Sequence, residues 1–253
     1  MRRLALLAAP LMLGAAPLPR VDMATAILPP PATPGDAVLP FIKVSAGKIA
    51  LVHARIIDGT GAAPTEDRTL LIDGGRIAAI QPGGDPVPIG YRTIDARGQT
   101  ILPGWVGMHN HMYYQVLPNL TSLMKYEPPV IVPEMAFSSP KMYLAAGVTT
   151  MRTTGAVEPT TDINIKRTID RGELVGPHMD VTGPYLEGSA SPYIEMQRLK
   201  DAEDARRTVA FWADQGATSF KAYMNITRAE LKAAIEEAHR RGLKITEIGR
   251  AHV

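Results

Sequence analysis

The sequence predicts an α/β fold in which a small β module precedes a series of βα units. Between residues 48 and 100, short apolar runs alternate with turn signals, a pattern typical of short strands. Within that stretch, Asp73-Gly74-Gly75-Arg76 separates two apolar runs and supplies the positive φ angles of a tight hairpin turn. Beyond Gly104, short apolar runs alternate with helical segments, which favours parallel strands joined by helices.

The N-terminus has the features of a signal peptide over residues 1–26. A basic start precedes an apolar run over residues 4–16, and an A-x-A pattern at residues 24–26 offers a cleavage site. Because this run is short for a bilayer span and no later segment is long enough, we expect a periplasmic or secreted protein with no membrane contact in its mature form. The alternative is an uncleaved anchor or a misassigned start. Residues 27–47 are rich in proline and are expected to form a linker outside any sheet.

The composition excludes two kinds of site. The 253 residues include no cysteine, so disulfides and thiolate ligands are not available, and any metal must be held by histidine, carboxylate or a modified lysine. The formal net charge is only +2, and no dense cluster of basic residues is interleaved with aromatic ones. We therefore expect no nucleic-acid partner.

The βα units occupy residues 101–246, which we assign to one domain. Strands are expected at residues 101–108, 148–152, 178–182, 218–223 and 243–246. Helices are expected at residues 161–171 and 201–215, and a third one begins with the capping box Thr227–Glu230 and stops at Gly242. Residues 113–140 are long and rich in proline and are expected to form an insertion over the carboxyl end of the first strand.

The pair His109 and His111 lies at the end of the apolar run that follows Pro103-Gly104. Residues i and i+2 of an extended strand point to the same side, so the two imidazoles can chelate one divalent metal. The alternative is that the pair caps the strand or forms hydrogen bonds in a core. Its place at the end of a strand that a turn introduces favours the metal.

Lys221 lies in a strand that is otherwise uncharged. A lysine in the interior of a barrel loses hydration, its pKa falls, and the neutral amine becomes nucleophilic enough to be modified. The alternative is a snorkelling or edge lysine. Three other histidines are expected to be structural: His53, His178 and His239. Arg152 and Glu187 lie near strand ends, and the sequence leaves open whether they contact substrate or belong to the surface.

These features together resemble the amidohydrolase superfamily, in particular its exported imidazolonepropionase-like or prolidase-like members. The resemblance covers residues 48–246 and is carried by residues 52–59, 72–77, 102–111, 146–152 and Phe220-Lys221. It implies that His109 and His111 bind the more buried of two metals, usually zinc, and that Lys221 is carboxylated by carbon dioxide and bridges both. The family commonly has aspartate two residues before the first histidine, where this chain has Gly107.

The resemblance also implies a fold and a reaction. The fold is the first half of a (β/α)8 TIM-type barrel after a small β-sandwich-like module, because only four or five of eight strands can be counted. The reaction is the hydrolysis of a small-molecule amide or cyclic amide, non-peptide or dipeptide, by a metal-activated hydroxide. No catalytic residue is assigned, since the general-base aspartate of strand eight and two histidines of strands five and six are expected in a missing C-terminal half. A homo-oligomer of the full-length protein is a further expectation.

Residues 247–253 are expected to be an artefactual tail. In relatives the strand that ends here at Thr246 continues with Gly-His, whereas this chain continues with Glu247. One back-translation of the tail resembles a common short-read sequencing adapter, so His252 is given no role. The alternative is a natural C-terminus. We therefore expect a truncated chain that is inactive and poorly soluble alone, because half a barrel exposes apolar strand edges.

Two other functions remain open from the sequence. A lactonase or phosphotriesterase-like hydrolase of the same superfamily uses the same kind of metal centre, and an exported non-catalytic binding protein can use the same scaffold. Metal content separates the binding protein from the hydrolases. A substrate panel separates the hydrolases from one another.

Overall fold

The computed structural model describes residues 32–112, 138–191 and 196–247. The predicted signal peptide, the start of the linker, most of the predicted insertion and all but the first residue of the tail lie outside these ranges. No helix within them combines the length and the apolar character needed to cross a bilayer. In the linker, Leu39–Phe41 forms a turn of 3-10 helix, and the described linker residues join no sheet.

The β module is a mixed five-stranded sheet. Its strands are β1 (Ile49–Ile56), β2 (Thr65–Asp73), β3 (Arg76–Pro82), β4 (Arg92–Asp95) and β5 (Thr100–Ile101). Their order is β3-β2-β1-β4, and β5 also pairs with β1. Strands β1, β2 and β3 are antiparallel neighbours, whereas β4 and β5 run parallel to β1. Between residues 48 and 101 the chain thus forms one sheet, without the second sheet of a sandwich.

The hairpin predicted at residues 73–76 is confirmed. Gly74 has a φ of 56° and Gly75 a φ of 74°, both in the left-handed region that glycine adopts without a steric cost. Asp73 and Arg76 face each other as the last pair of the β2–β3 register. A two-residue turn with two positive φ angles matches the right-handed twist of the strands that it joins.

Strand β1 contributes to two separate hydrophobic clusters. Its buried residues before His53 belong to one cluster and its buried residues after His53 to the other. His53 has a φ of 60°, and the register with β2 shifts between Leu51 and Ala54. The buried members of the clusters are Ala50, Val52 and Leu71 in one, and Ala54, Ile56, Leu70 and Ala96 in the other. His53 Nδ1 also lies 2.7 Å from Oδ1 of Asp67. His53 therefore has the structural role expected from the sequence.

The rest of the described chain forms βα units with parallel strands. In chain order the elements are β6 (Trp105–Asn110), α1 (Ser139–Ala145), β7 (Val148–Thr153), α2 (Pro159–Asp170), β8 (His178–Asp180), β9 (Thr182–Leu186), α3 (Ala202–Asp214), β10 (Ser219–Ala222), α4 (Arg228–Arg240) and β11 (Lys244–Thr246). The strands form two parallel sheets, β6-β7-β8 and β9-β10-β11. Only Val181 separates β8 from β9, and an isolated bridge joins Ala156 to Pro184. The predicted α/β class is confirmed.

The strand predicted at residues 101–108 is wrong as a single element. Ile101 is the last residue of β5, which pairs with β1 in the β module. The residues after the turn belong to β6, which continues to Asn110. Between them, Pro103 cannot donate a ladder hydrogen bond. A Cβ on Gly104 would lie 2.0 Å from Oγ1 of Thr149, so the chain passes there only because this residue is glycine.

The three predicted helices agree with α2, α3 and α4 to within two residues at each end. Asp201 caps α3 by accepting a hydrogen bond from the Asp204 backbone N–H at 2.8 Å. Thr227 and Glu230 form the reciprocal capping box of α4. Helix α1 was not predicted, although its start at Ser139 is followed by a proline in the first turn, a position that proline favours.

The largest hydrophobic cluster lies between β10 and the helices α3 and α4. Phe220 and Ala222 of β10 pack there with residues of both helices, among them Val209 and Ala234. Because side chains alternate along a strand, Lys221 points away from the helices. This packing places Lys221 on the face of β10 that is opposite the helices.

Helix α2 buries a carboxyl group. Asp162 is 1% exposed, and its Oδ1 has no hydrogen-bond partner. Burial, and to a smaller extent the charge of Glu158, raises the pKa of Asp162 from 3.8 to about 7. The folded protein therefore binds this proton more tightly than the unfolded chain does. The resulting stability is fully present below the unfolded pKa and is lost as the pH rises through the folded pKa.

We expect Asp162→Asn to remove this pH dependence. The contribution of Asp162 to the free energy of unfolding should fall by roughly 4 kcal/mol from about pH 4 to about pH 8, at about 1.36 kcal/mol per pKa unit. Urea unfolding across this range measures it, with the exposed Asp36→Asn as the control. A variant that loses stability with pH as steeply as the unchanged protein contradicts the assignment to Asp162.

Candidate active site

The two histidines of the H-x-H pair lie close together at the carboxyl end of β6. Their ring centroids are 5.5 Å apart, and the ring planes meet at 71°. His109 is in the strand and exposed, whereas His111 follows the strand and is partly buried. This placement agrees with the alternation expected for residues i and i+2.

Asn110, between the two histidines, ties this segment to β7. Its Nδ2 donates to the backbone oxygen of Arg152 at 3.5 Å, and its own backbone oxygen accepts from the N–H of Thr154 at 3.1 Å. A Cβ at position 107 would lie 2.3 Å from Asn110 Nδ2. Gly107, where the family commonly has aspartate, therefore leaves room for the amide of Asn110.

The pKa values of both imidazoles are lowered, which favours the neutral form. The pKa of His111 is lowered to about 4, first by burial and then by the charges of a protonated His109 and of Lys221, while a hydrogen bond to the backbone of Gly155 acts in the opposite direction. The pKa of His109 is also lowered, first by burial and then by the charge of Lys221. A neutral imidazole is the form that binds a metal, and a backbone hydrogen bond on its other nitrogen orients the ring.

Lys221 is a buried lysine, only 3% exposed, in β10. Its Nζ lies 5.5 Å from the ring centroids of both Tyr185 and Tyr223, and these two rings contact each other edge to face at 4.8 Å. Burial lowers the pKa of Lys221, and the positive charge of Arg152 lowers it further. The snorkelling or edge lysine considered from the sequence is therefore wrong for this residue.

The structure brings the three predicted residues together. The charge of Lys221 is one of the causes that lower the pKa of both histidines, so its amine lies within electrostatic range of both rings. His109, His111 and Lys221 come from strand ends that meet on the same side of parallel strands. Sequence reasoning missed Tyr185 and Tyr223. The sequence did contain a signal for Tyr223. It lies two residues after Lys221, and because side chains alternate along a strand, the two share a face.

These residues fit one metal ion by their chemistry. The described ranges contain no group of three or more His, Cys, Asp or Glu side chains that could hold a metal. A catalytic zinc takes three protein ligands and keeps a fourth position for water. His109 and His111 supply two nitrogen ligands. Lys221 supplies a third only when it is neutral or carries a carboxylate, because a protonated amine repels a cation.

Arg152 and Glu187 are buried, so the alternative of a surface role is wrong for both. Arg152 is 8% exposed and Glu187 is fully buried directly after β9. Glu187 Oε1 accepts a hydrogen bond from the Asn225 backbone N–H at 3.0 Å, whereas its Oε2 has no partner. Contact of either residue with substrate stays a prediction.

The remaining histidines lie elsewhere. His178 is the first residue of β8, at the opposite end of the strand from the site, and lines a cavity of about 490 Å³ that also includes Asp180 and Lys244. His239 is exposed in the last turn of α4. These positions agree with the structural roles expected from the sequence.

Comparison with known proteins decides the family. Residues 100–247, more than half of the chain, match the sequence profile of the Amidohydrolase family. The chain belongs to the amidohydrolase family. The resemblance to the amidohydrolase superfamily inferred from the motifs is therefore confirmed. Adenine deaminase 2 of Bradyrhizobium sp. (strain ORS 278) is 36% identical over 75 residues, which cover 27% of this chain and 12% of that protein.

Solved structures of similar fold support the architecture of this amidohydrolase. A Bifidobacterium longum protein named as a prolidase has a TM-score of 0.63 and 24% identity, over 79% of this chain and 49% of that chain. A Xaa-Pro dipeptidase with bound methionine has a TM-score of 0.66 and 20% identity, over 79% of this chain and 56% of that one. The chain thus spans about half the length of these solved relatives, and at these identities the likeness concerns the fold.

We expect the imidazole of His111 to titrate near pH 4 in the metal-free protein, well below the ordinary value of about 6.5. Lys221→Met should raise the pKa of both His109 and His111, because it removes a positive charge, yet leave that of His111 below the ordinary value because burial persists. Long-range ¹H–¹⁵N NMR measures this. Lys232→Met, on the exposed face of α4, should change neither pKa, and unaltered values in Lys221→Met contradict the proximity of the three groups.

Proposed function

We propose that the complete protein is a metal-dependent hydrolase that cleaves carbon–nitrogen bonds in small amides or cyclic amides, non-peptide or dipeptide. One observation carries the proposal: two imidazoles with lowered pKa values and a buried lysine lie at the ends of parallel strands. The names of two relatives, adenine deaminase and Xaa-Pro dipeptidase, both refer to cleavage of a carbon–nitrogen bond. Family membership supports the same class of reaction.

In this proposal His109 and His111 would hold a divalent metal, zinc in the first instance, and a carboxylated Lys221 would be the ligand shared with a second one. A bound metal supplies hydroxide at neutral pH and polarises the scissile carbonyl. The backbone hydrogen bond at Gly155 orients the ring of His111. The aromatic rings of Tyr185 and Tyr223 shield the amine of Lys221 from water.

Carboxylation of Lys221 follows from its surroundings. The neutral Nζ attacks the carbon of carbon dioxide, one N–C bond forms as one C–O π bond breaks, and one proton passes from the nitrogen to water, which yields a carbamate with one negative charge. Arg152 contributes a positive charge nearby. A charge of that sign disfavours the protonated amine and favours the carbamate, so both effects act in the same direction.

We also propose that β6 to β11 are the first part of a (β/α)8 barrel, with the general-base aspartate and further histidine ligands outside the 253 residues. Support comes from the parallel strand order and from relatives that are about twice as long. In this proposal the 253-residue chain alone lacks hydrolase activity. The complete protein is exported, and its partner is a small-molecule substrate.

Metal analysis of the complete gene product tests the hydrolase most simply. We expect about two zinc ions per chain and hydrolysis of one or more members of a panel of dipeptides and cyclic amides. His111→Asn should lose metal and lower kcat/KM by more than the roughly 100-fold that is typical of outer-shell changes. His239→Asn is the matched control and should change neither quantity.

The outcomes separate the alternatives. Metal-free protein without hydrolysis supports a binding protein and contradicts the proposal. If the protein hydrolyses lactones or phosphotriesters but not amides, the proposed metal centre is supported and the proposed specificity for carbon–nitrogen bonds is contradicted.

Bicarbonate should control the reconstitution of the metal site through Lys221. The metal-stripped complete protein should regain zinc and activity faster with added bicarbonate, because the carbamate must form before it can bridge two metals. Lys221→Arg keeps the charge but cannot form this carbamate, and it should regain neither zinc occupancy nor activity under any bicarbonate concentration. Equal rates of zinc uptake with and without bicarbonate in the unchanged protein contradict the role of Lys221.

A further inference from the structure

The side chain of Arg152 contacts residues of two other strands. Arg152 lies in β7 and pairs in register with Asp180 of β8, whose Oδ2 is 3.6 Å from Arg152 Nε. The side chain then reaches β10, where Nε donates to Ser219 Oγ at 3.2 Å and Nη2 donates to the backbone oxygen of Phe220 at 3.2 Å. The guanidinium therefore joins the sheet β6-β7-β8 to the sheet β9-β10-β11.

The main chain of the same residue contacts the segment that carries the histidines. The backbone oxygen of Arg152 accepts from Nδ2 of Asn110, the residue between His109 and His111. The peptide group whose oxygen the guanidinium binds is the one directly before Lys221. One buried residue thus joins the two parts of the candidate site.

Asp180 reinforces the same connection from β8. Its Oδ1 accepts hydrogen bonds from Thr218 Oγ1 and, at 3.1 Å, from Ser219 Oγ. Thr218 Oγ1 in turn accepts from the backbone N–H of Val181 at 2.9 Å. The start of β10 is therefore fixed by a closed polar network, in which every connection is a hydrogen bond or an ion pair.

We propose that Arg152 is a positioning residue that holds the Lys221 segment in place against the His109–His111 segment. This inference rests on the proposed function for its chemical consequence, which is the correct placement of the lysine for the bridging role. A guanidinium suits this task because its planar donors reach two acceptors at once. A lysine at position 152 can reach either acceptor but not both in the same geometry.

The decisive comparison uses Arg152→Gln, Arg152→Lys and the control Arg167→Gln in the complete gene product. Arg167 also donates to a backbone oxygen of another element, that of Gln215 at 2.5 Å, but it is exposed on the outer helices. The control thus loses the same kind of hydrogen bond away from the site. Three quantities are measured: hydrogen exchange at Phe220 and Lys221, zinc affinity, and the ¹³C NMR signal of a carbamate labelled with ¹³C-bicarbonate.

We expect Arg152→Gln to speed hydrogen exchange at Phe220 and Lys221, to abolish the carbamate signal, and to weaken zinc binding by about 10–100-fold, the range typical of outer-shell changes. The thermal transition should remain cooperative. Arg152→Lys should show a partial loss in all three quantities. Arg167→Gln should match the unchanged protein. If Arg152→Gln does not fold, Arg152→Lys and Ser219→Ala, which each remove part of the contact set, decide the question.

The failure of this inference differs from the failure of the proposed function. Unchanged exchange, carbamate and zinc affinity in Arg152→Gln overturn the positioning role while the enzyme remains a metal-dependent hydrolase. If the unchanged protein binds no zinc, the proposed function fails, and hydrogen exchange alone then decides whether Arg152 holds the Lys221 segment. Equal exchange in the unchanged protein and Arg152→Gln overturns the inference in that case too.

Discussion

Lys221 buries a primary amine at the end of β10, where it contacts two tyrosine rings and pairs with no carboxylate in the described ranges. Arg152 adds a second cation nearby; burial lowers the pKa of both imidazoles, and the charge of Lys221 lowers both further, while that of Arg152 acts on His109. The charges that act on Lys221 and on the two imidazoles are therefore all positive, while the carboxylate of Asp180 pairs with Arg152. A carbamate on the lysine relieves this imbalance, because it exchanges a cation for an anion beside the guanidinium.

The fold follows from the sequence wherever a local signal determines the structure. The Gly74-Gly75 hairpin, the Asp201 cap and the Thr227–Glu230 capping box each depend on residues within four positions of one another. The division between β5 and β6 depends instead on a tertiary contact, the close approach of Gly104 to Thr149. Patterns of apolar residues do not contain that information, and the predicted strand was therefore continuous through the turn.

The sequence also predicts those residues of the candidate site that a local signal determines, and it misses the contacts that depend on tertiary structure. Alternation along one strand is enough to place His109 and His111 together, and an uncharged strand is enough to single out Lys221. The burial of Arg152 could not be predicted, because its hydrogen-bond partners lie on β10, a strand of the other parallel sheet, and their placement is a property of the folded chain. The unpartnered oxygen of Glu187 is likewise visible only in the structure.

The central claim is that the H-x-H pair and Lys221 bind the same metal centre. Anomalous diffraction at the zinc edge from crystals of the zinc-loaded complete protein tests it most directly. The expected result is a peak at about 2.0–2.1 Å from one ring nitrogen of His109 and one of His111, joined to a second peak through density that extends from Lys221 Nζ. Zinc bound elsewhere, with neither imidazole as a ligand and unmodified density at the lysine, would contradict the claim.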